Sequence, residues 1–328
     1  MKPAQHTIDR LQHGGIMTNY QCNAACRHCL YACSPERSGG YIRPQAAREI
    51  CSQLREGGCA SVHIGGGEPF LDIDGLVMLL QTARRAGITV EYVETNAFWA
   101  SDESRAEKYL RALIDAGTDT LCISLDPFHA EYVPAALPVK LAEICRRVGF
   151  GYFLWKDSYR RLLSQLEAPH KAQTRAELER QLSKDYVLET AQGYGLSMGG
   201  RVLSIENEYS APRPIAELIK RPCRNLLSAG HFHVDLYGRY IPPGCTGIAI
   251  PLAEAIHGVP RGKYPAFDAL VDGGVGELLN LAQKLGFKAA ETYTSSCALC
   301  FHIRRWLSVQ GSCPELDAEH YVASLEYC

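Results

Sequence analysis

The chain has 328 residues, which is long enough for one large domain with a smaller addition. Its 34 Lys and Arg residues against 36 Asp and Glu residues give a net charge of -2, so the charge does not predict a nucleic-acid partner. No stretch approaches the roughly 20 apolar residues that span a bilayer, and the first residues lack the apolar centre of a signal peptide. We therefore expect a cytoplasmic protein without a membrane partner. In a reducing compartment its 14 cysteines favour metal binding over disulfides.

The first predicted strand, residues 15–20, leads into a loop that carries three cysteines. Cys22, Cys26 and Cys29 follow a C-x3-C-x2-C spacing, with His28 just before the last thiol. Three thiolates in one short loop can converge on three corners of an iron-sulfur cube and leave the fourth iron open. The alternative is zinc, but zinc normally has four closed ligands or three plus water, and C-x2-C pairs of the zinc type usually come in twos at a distance.

Strands and helices then alternate along the chain. The remaining predicted strands cover residues 61–64, 88–93, 120–125, 150–155 and 201–205. One predicted helix begins at Pro44, and a second includes residues 76–83. A third spans residues 102–116 with Ser101 as its cap, and a fourth spans residues 139–148. This alternation requires parallel strands joined by right-handed crossovers, an α/β architecture. In barrels of this kind the chemistry lies at the carboxyl ends of the strands.

A glycine-rich turn follows the second predicted strand. Gly65, Gly66 and Gly67 precede Glu68, and glycines leave backbone groups open to a ligand. Alone, this turn fits a tight strand-to-helix connection equally well. Together with the C-x3-C-x2-C loop it resembles the radical S-adenosylmethionine (radical SAM) superfamily.

The resemblance implies a partial (β/α)6 TIM-like barrel across residues 16–210, after a lead-in at residues 1–15. It implies that Cys22, Cys26 and Cys29 hold a catalytic [4Fe-4S] cluster that binds SAM and is reduced by an external low-potential electron donor. The residues that it assigns to SAM are His28, Gly65, Gly66, Gly67, Glu68, Asn96, Ser124 and Asp126. For the last three, a turn role (Asn96) or a helix-cap role (Ser124 and Asp126) remains open.

Other parts of the barrel region carry weaker signals. Residues 159–190 are charged and helical, which fits solvated helices or a substrate lid. Residues 198–201 resemble the Gly-Arg turn that precedes the C-terminal extension of related proteins. Apolar patterns assign Cys51, Cys122 and Cys145 to the core. Since three cysteines already account for the open-site cluster, we interpret Cys33 as an ordinary loop cysteine.

A second group of cysteines follows residue 211. Cys223 and Cys245 flank a predicted hairpin that turns at Gly238, and Cys297 and Cys300 form a C-x2-C pair that opens a helix. These features resemble the twitch and SPASM domains, and imply a small cysteine-rich α+β domain at residues 211–328 with at least one auxiliary [4Fe-4S] cluster. A zinc ribbon is the alternative.

The remaining cysteines and histidines of this region are open. Cys313 and Cys328 can join a second cluster, replace one of the four ligands, or donate hydrogen to a substrate radical. His231 and His233 can share one face of a strand, but such pairs are more often packing or surface residues, and we do not count them as ligands.

The resemblance therefore implies a radical SAM oxidoreductase or transferase. It would modify a ribosomal peptide or oxidise a small molecule, with the auxiliary cluster accepting an electron or binding the substrate. The alternative is a protein without catalysis, either an iron-sulfur electron carrier or a zinc-stabilised binding module. The glycine-rich turn favours the enzyme, because an electron carrier needs no SAM site.

Overall fold

The computed structural model describes residues 4–194, 199–220, 222–223 and 225–325. Eight strands of these residues form one mixed sheet, and they are β1 (His13–Met17), β2 (Ser61–Gly65), β3 (Thr89–Thr95), β4 (Thr120–Ser124), β5 (Gly151–Trp155), β6 (Phe232–Val234), β7 (Arg239–Ile241) and β8 (Ile250–Pro251). Their order across the sheet is β8-β7-β6-β1-β2-β3-β4-β5. The six strands from β6 to β5 in this order are parallel to one another, β7 is antiparallel to β6, and β8 is antiparallel to β7.

Amphipathic helices join the parallel strands and cover the sheet. The first begins at Pro44 and buries Ala47, Ile50, Cys51 and Leu54 on one face, as its spacing predicts. The helices are α1 (Pro44–Glu56), α2 (Ile73–Arg85), α3 (Glu103–Ala116), α4 (Pro127–Ala130), α5 (Ala136–Val148), α6 (Ser158–Leu163), α7 (Arg175–Gln181), α8 (Tyr186–Tyr194), α9 (Val202–Tyr209), α10 (Ile215–Leu218), α11 (Leu252–His257), α12 (Pro265–Gly273), α13 (Val275–Lys284), α14 (Ser296–Gln310) and α15 (Ala318–Ala323).

Short elements complete the chain. Outside the main sheet, Gln5–His6 pairs with Val259–Pro260, and Arg213–Pro214 pairs with Thr292–Tyr293. Single 3-10 turns lie at Pro69–Leu71, Phe98–Ser101 and Asn225–Leu227. No helix in the described part of the chain is both long and apolar enough to cross a membrane.

The predicted α/β fold with a parallel sheet is confirmed, but the predicted strand at residues 201–205 is wrong. This segment begins α9, because Val202, Leu203 and Ile205 bury one face of a helix whose other face is polar. The sixth parallel strand is β6, which pairs with β1 on the opposite side. The sheet therefore continues across the predicted domain boundary at residue 211, and that boundary remains a prediction.

Two local predictions concern the start of α3 and the charged segment 159–190. The N-cap of α3 is Asp102, whose side chain accepts from the Arg105 N–H, and not Ser101, which lies in the preceding 3-10 turn. The charged segment 159–190 contains the short helices α6, α7 and the start of α8. Buried Leu163 and Leu178 and the exposed charged side chains of these helices fit the solvated interpretation.

Candidate active site

The carboxyl ends of the parallel strands surround a cavity of about 410 Å³. The loop after β1, the glycine-rich turn after β2 and the ends of β3, β4 and β5 all contribute to its wall. The predicted residues that line the cavity are Cys22, Cys26, His28, Cys29, Gly66, Gly67, Glu68, Asn96 and Ser124. Gly65 and Asp126 do not line it. Sequence positions that are far apart thus meet at the edge where the topology predicts a site.

The cysteine loop is shaped by its own backbone. The Cys22 N–H donates to the Ser34 carbonyl at 3.1 Å, and the Cys29 N–H donates to the Cys26 carbonyl at 3.0 Å. Cys22 and Cys26 are buried and Cys29 is partly exposed, yet all three residues line the one cavity. Three thiols of one loop are therefore presented together on one wall.

Arg201 fastens this loop from beneath. Its Nε donates to the Cys26 carbonyl at 2.9 Å and its Nη2 donates to the Cys33 carbonyl at 2.6 Å, while its backbone N–H donates to the Cys29 carbonyl at 3.1 Å. The side chain is buried, with 1% of its surface exposed. Gly200, at φ +53°, brings the backbone so close to the loop that a Cβ there would clash with the Leu30 carbonyl. A planar guanidinium can satisfy two carbonyls at once, which holds the loop in one conformation.

The glycine-rich turn packs against the start of the cysteine loop. Gly66 has φ +146°, and a Cβ on Gly67 would clash with the Gln21 carbonyl. The Gly67 N–H donates to the Asn19 carbonyl at 2.8 Å, and the Glu68 N–H donates to the Gln21 carbonyl at 3.0 Å. The glycines are therefore needed for close backbone contact between the two loops, in addition to any contact with a ligand.

Glu68 ties the glycine-rich turn to the end of β3. Its carboxylate accepts from the Phe70 N–H at 3.1 Å, from the Thr95 hydroxyl at 2.9 Å and from the Asn96 N–H at 2.8 Å. Burial raises the pKa of Glu68 to about 7, although these donors oppose the shift. Glu94 lies nearby in the cavity wall, and burial likewise raises its pKa to about 7.

Asn96 links β3 to the cysteine loop. Its Nδ2 donates to the Asn23 Oδ1 at 2.9 Å and lies 3.8 Å from the Cys22 Sγ. Its Oδ1 accepts from the Phe98 N–H at 3.1 Å, which is the turn role that Asn often has. The side chain thus combines a structural contact with a place in the cavity wall.

Asp126 faces away from the cavity and holds His129. It caps α4 by accepting from the His129 N–H at 3.0 Å, and its other oxygen contacts the His129 Nδ1 at 2.5 Å. Burial opposes ionisation of this carboxyl, but His129 and His28 lower the pKa of Asp126 well below its usual range. Burial alone would favour neutral His129, but Asp126 and Cys26 raise the pKa of His129 well above its usual range. The ligand atoms of His129 and Cys26 lie within 4.8 Å of each other, so the imidazole that Asp126 holds lies beside the central cysteine of the loop.

His28 is packed beside this pair. Its ring stacks on Phe128 at a centroid separation of 5.0 Å and meets His129 edge-on at 5.0 Å. Tyr194 packs against its other side at 4.7 Å. Burial lowers the pKa of His28 to about 4, so the ring is neutral at pH 7. His28 therefore contributes an uncharged aromatic part of the cavity wall, with its buried Nδ1 left without a hydrogen-bond partner among the described residues.

The four thiols predicted for an auxiliary site lie in one neighbourhood. The thiol of Cys245 donates to Cys223, which lowers the pKa of Cys223 to about 6. The positive charge of buried Arg304 favours the ionised form of Cys297 and Cys300 as well as of this pair. The predicted hairpin is β6 and β7, and Gly238 in its turn has φ +76°.

Arg304 is anchored by neutral acceptors. Its Nη1 donates to the Thr246 carbonyl at 2.8 Å and to the Tyr321 hydroxyl oxygen at 2.9 Å, and 3% of its surface is exposed. No carboxylate forms a salt bridge with it within the described residues. Among the adjacent thiols, Cys223 has the lowered pKa, so it is the neighbour best able to balance this charge as a thiolate.

The other cysteines have separate surroundings. Cys313 is buried beside Ser312, Glu315 and the Ala266 backbone. Cys328 lies outside the described residues, as does Met198. Cys51 and Cys145 are core residues as predicted. Cys33 and Cys122 are also buried, but both line the main cavity.

Comparison with known proteins decides the family of this region. Residues 16–155 match the model of the radical SAM superfamily. The chain carries a radical SAM domain. This enzyme superfamily implies a [4Fe-4S] cluster and SAM as cofactors. The matched residues include the cysteine loop, the glycine-rich turn, and the ends of β3, β4 and β5.

Individual relatives of the radical SAM domain are distant. The chain is 26% identical over 133 residues to YydG of Bacillus subtilis (strain 168), a protein whose name assigns it to peptide biosynthesis. That match covers 40% of this chain and 41% of YydG. SuiB of Streptococcus suis bound to S-adenosylmethionine has a TM-score of 0.43 at 18% identity, covering 76% of this chain and 64% of SuiB. Native anSMEcpe with bound AdoMet and the Cp18Cys peptide has a TM-score of 0.42 at 13% identity, covering 92% and 99%.

Several residues around the main cavity were not predicted to be part of it. His129, Glu94, Tyr92, Trp155 and Tyr194 all line it. Glu94 precedes Thr95 at the end of β3, so the rule that strand ends carry the chemistry could have found it. Nothing in the sequence points to Tyr194, which reaches the cavity from α8.

Proposed function

We propose that this chain is a radical SAM enzyme that generates a radical from SAM in the cavity at the carboxyl ends of its parallel strands. The observation that carries the proposal is the meeting of three loop thiols, a glycine-rich turn and a buried carboxylate around one cavity of about 410 Å³. This volume lies in the range of roughly 300–1,000 Å³ that small-molecule and cofactor sites occupy. An electron carrier has no use for such a cavity beside its cluster.

In this proposal Cys22, Cys26 and Cys29 hold three irons of a [4Fe-4S] cluster. Their donor chemistry fits, since thiolates are the usual ligands of such clusters and the loop presents three of them to one cavity. When bound and reduced, such a cluster would supply the one electron needed to split SAM into methionine and a 5′-deoxyadenosyl radical for hydrogen abstraction. An external low-potential electron donor would supply the electron.

The remaining cavity residues would bind and orient SAM and exclude water from the site. Glu68 and the backbone of the glycine-rich turn would hold the amino group of SAM, and Asn96 and Ser124 would contact its other polar groups. The rings of Tyr92, Trp155 and Tyr194 supply apolar wall. Excluding water from this space protects a reactive intermediate from side reactions.

Two residues that were predicted to contact SAM do not line the cavity and would act on it indirectly. Asp126 is buried and bonded to His129, so it would act on the cavity by fixing the charge and position of that ring. Gly65 would act through the backbone geometry of the turn. Its missing side chain leaves room for the Glu94 carboxylate, which a Cβ at Gly65 would approach to 2.7 Å.

We further propose an auxiliary [4Fe-4S] cluster on Cys223, Cys245, Cys297 and Cys300. Four thiols beside one buried cation support it, since a cluster with four thiolates carries net negative charge. The cluster would accept an electron from the substrate radical or bind the substrate. Zinc remains the competing occupant, and metal analysis separates the two. Cys313 and Cys328 stay candidates for other roles.

A peptide is the favoured substrate class. YydG is named for peptide biosynthesis, and its match with this chain covers 133 residues. Oxidation of a small molecule is the second candidate. We place the activity in the cytoplasm, because the thirteen cysteines within the described residues are all free thiols, which a reducing compartment maintains.

Replacement of Glu68 by glutamine tests the proposed SAM site. We expect SAM affinity to fall about tenfold or more, since a hydrogen bond to a charged group is worth roughly 1.5–3 kcal/mol. The amide nitrogen would also face protein donors, because the native carboxylate accepts from Phe70, Thr95 and Asn96. The measurement is calorimetric titration of reconstituted protein with SAM.

The matched control for this change is Glu107→Gln on the exposed face of α3. It removes the same charge far from the cavity and should bind SAM like the unchanged protein. The iron content of both variants should stay the same. If E68Q bound SAM as tightly as E107Q, Glu68 would have no role in holding SAM.

A further inference from the structure

Four histidines meet on adjacent strands, outside the cysteine loop. His13 is in β1, His63 in β2 and His233 in β6, while His231 immediately precedes β6. We call these four residues the histidine cluster. They come together because β6 pairs in parallel with β1, which places His63 and His233 on either side of Gly15.

Gly15 makes the approach of the two inner rings possible. It pairs with His63 in one neighbouring strand and with His233 in the other. A Cβ on Gly15 would clash with both imidazoles. The absent side chain leaves space over β1, and the His63 Nε2 and His233 Nε2 lie 3.1 Å apart in that space. Glycine in the middle of a strand often marks such a close approach.

The ring nitrogens of the cluster have the spacing of metal ligands. His13, His63 and His231 each offer one nitrogen, and these three atoms all lie within 4.8 Å of one another. With zinc-nitrogen bonds of about 2.0–2.1 Å, two ligands of a tetrahedral ion lie about 3.4 Å apart. The inner pair already has this spacing. The His13 ring is partly exposed and the His231 ring is exposed, so both can rotate to bring their nitrogens to the same spacing from the inner pair.

The surroundings of the cluster also suit a cation. The His13 Nδ1 lies 3.3 Å from the Glu91 carboxylate, and the His63 Nε2 lies 3.8 Å from the Glu94 carboxylate. A carboxylate on the second nitrogen of a histidine ligand is a usual outer partner at metal sites, a position that Glu91 would take with the His13 Nε2 as ligand. Glu94 instead lies beside the His63 nitrogen that faces His233, where its negative charge favours a cation.

We propose that the histidine cluster binds one divalent transition-metal ion of the zinc class. Imidazole nitrogens suit zinc, copper, iron and nickel, whereas calcium and magnesium prefer oxygen ligands. His231 also lines the main cavity, so the ion would lie beside the space assigned to SAM and substrate. The site is separate from the thiols, and it does not depend on the proposed radical chemistry.

The test counts zinc bound to the full-length chain after its iron-sulfur sites have been reconstituted. The protein is incubated with zinc, desalted and analysed for metals, and the zinc ligands are identified by X-ray absorption. We expect one zinc per chain with nitrogen and oxygen ligands. His13→Gln and His231→Gln should each lower zinc binding at least tenfold, with unchanged iron content and melting temperature.

Two further variants complete the test. His170→Gln replaces an exposed histidine in a turn and should keep the zinc. The double variant C297A/C300A should also keep it, because the ion is not held by sulfur. Equal zinc binding by the unchanged protein and H231Q, or sulfur ligands in the absorption spectrum, would overturn the proposal. His13 and His231 are chosen over buried His63 because their side chains are partly exposed, so their replacement leaves the core intact.

Discussion

Replacement of Arg201 by methionine is expected to empty the cysteine loop of its cluster. Methionine fills similar volume, but it leaves the Cys26 and Cys33 carbonyls without the donors that now reach them at 2.9 and 2.6 Å. Each buried group left unsatisfied costs about 1–3 kcal/mol, so the loop would lose the conformation that presents its thiols together. Iron per chain should fall by about four atoms, one cluster, after reconstitution.

The conservative variant R201K should show an intermediate loss. A single ammonium cannot reproduce the planar fork that reaches two carbonyls. Arg147→Met is the matched control, since Arg147 is about half exposed on α5 and pairs with Glu103 and Glu107 at the surface. The measurement is iron and sulfide analysis together with the melting temperature. Full iron content in R201M would show that the loop holds its shape without this side chain.

Replacement of both Cys297 and Cys300 by alanine is expected to remove the auxiliary cluster alone. These residues begin α14, and with Cys223 and Cys245 they surround Arg304. Two thiols cannot retain a cluster that four hold, so iron should again fall by about four atoms per chain. SAM binding should persist, because the cysteine loop is unchanged.

The control for this double variant is Cys51→Ala, which removes a buried core thiol from α1. It should keep all of its iron. If C297A/C300A kept its iron and lost zinc instead, the four thiols would form a zinc site, and the twitch-like interpretation would be wrong. Metal analysis of both variants, prepared in parallel without added zinc, decides between these outcomes.

Local signals in the sequence were enough to predict the parallel strands β1 to β5 and the helices that join them. The helix from Pro44 and strand β4 have the expected positions because burial periodicity is encoded in neighbouring residues. The segment at residues 201–205 was different. Its β-branched and apolar residues fit a strand as well as a helix, and the structure buries Val202, Leu203 and Ile205 on one face of α9 through tertiary packing that the local pattern does not specify.

The site was predictable where its residues lie in continuous motifs. The cysteine loop and the glycine-rich turn could be identified because each is a short run with a fixed spacing. His129 and the histidine cluster could not, because they depend on tertiary contacts. His63 and His233 meet only through the pairing of β6 with β1, and sequence patterns do not specify which strand lies next to β1.

The central claim is that this chain makes a radical from SAM, and one measurement tests it most directly. The protein is reconstituted anaerobically, reduced with dithionite and incubated with SAM, and 5′-deoxyadenosine is quantified beside the iron content. The account predicts about eight irons per chain and formation of 5′-deoxyadenosine that is lost when Cys26 is replaced by alanine. A fully reconstituted and reduced protein that neither bound SAM nor formed 5′-deoxyadenosine would contradict it.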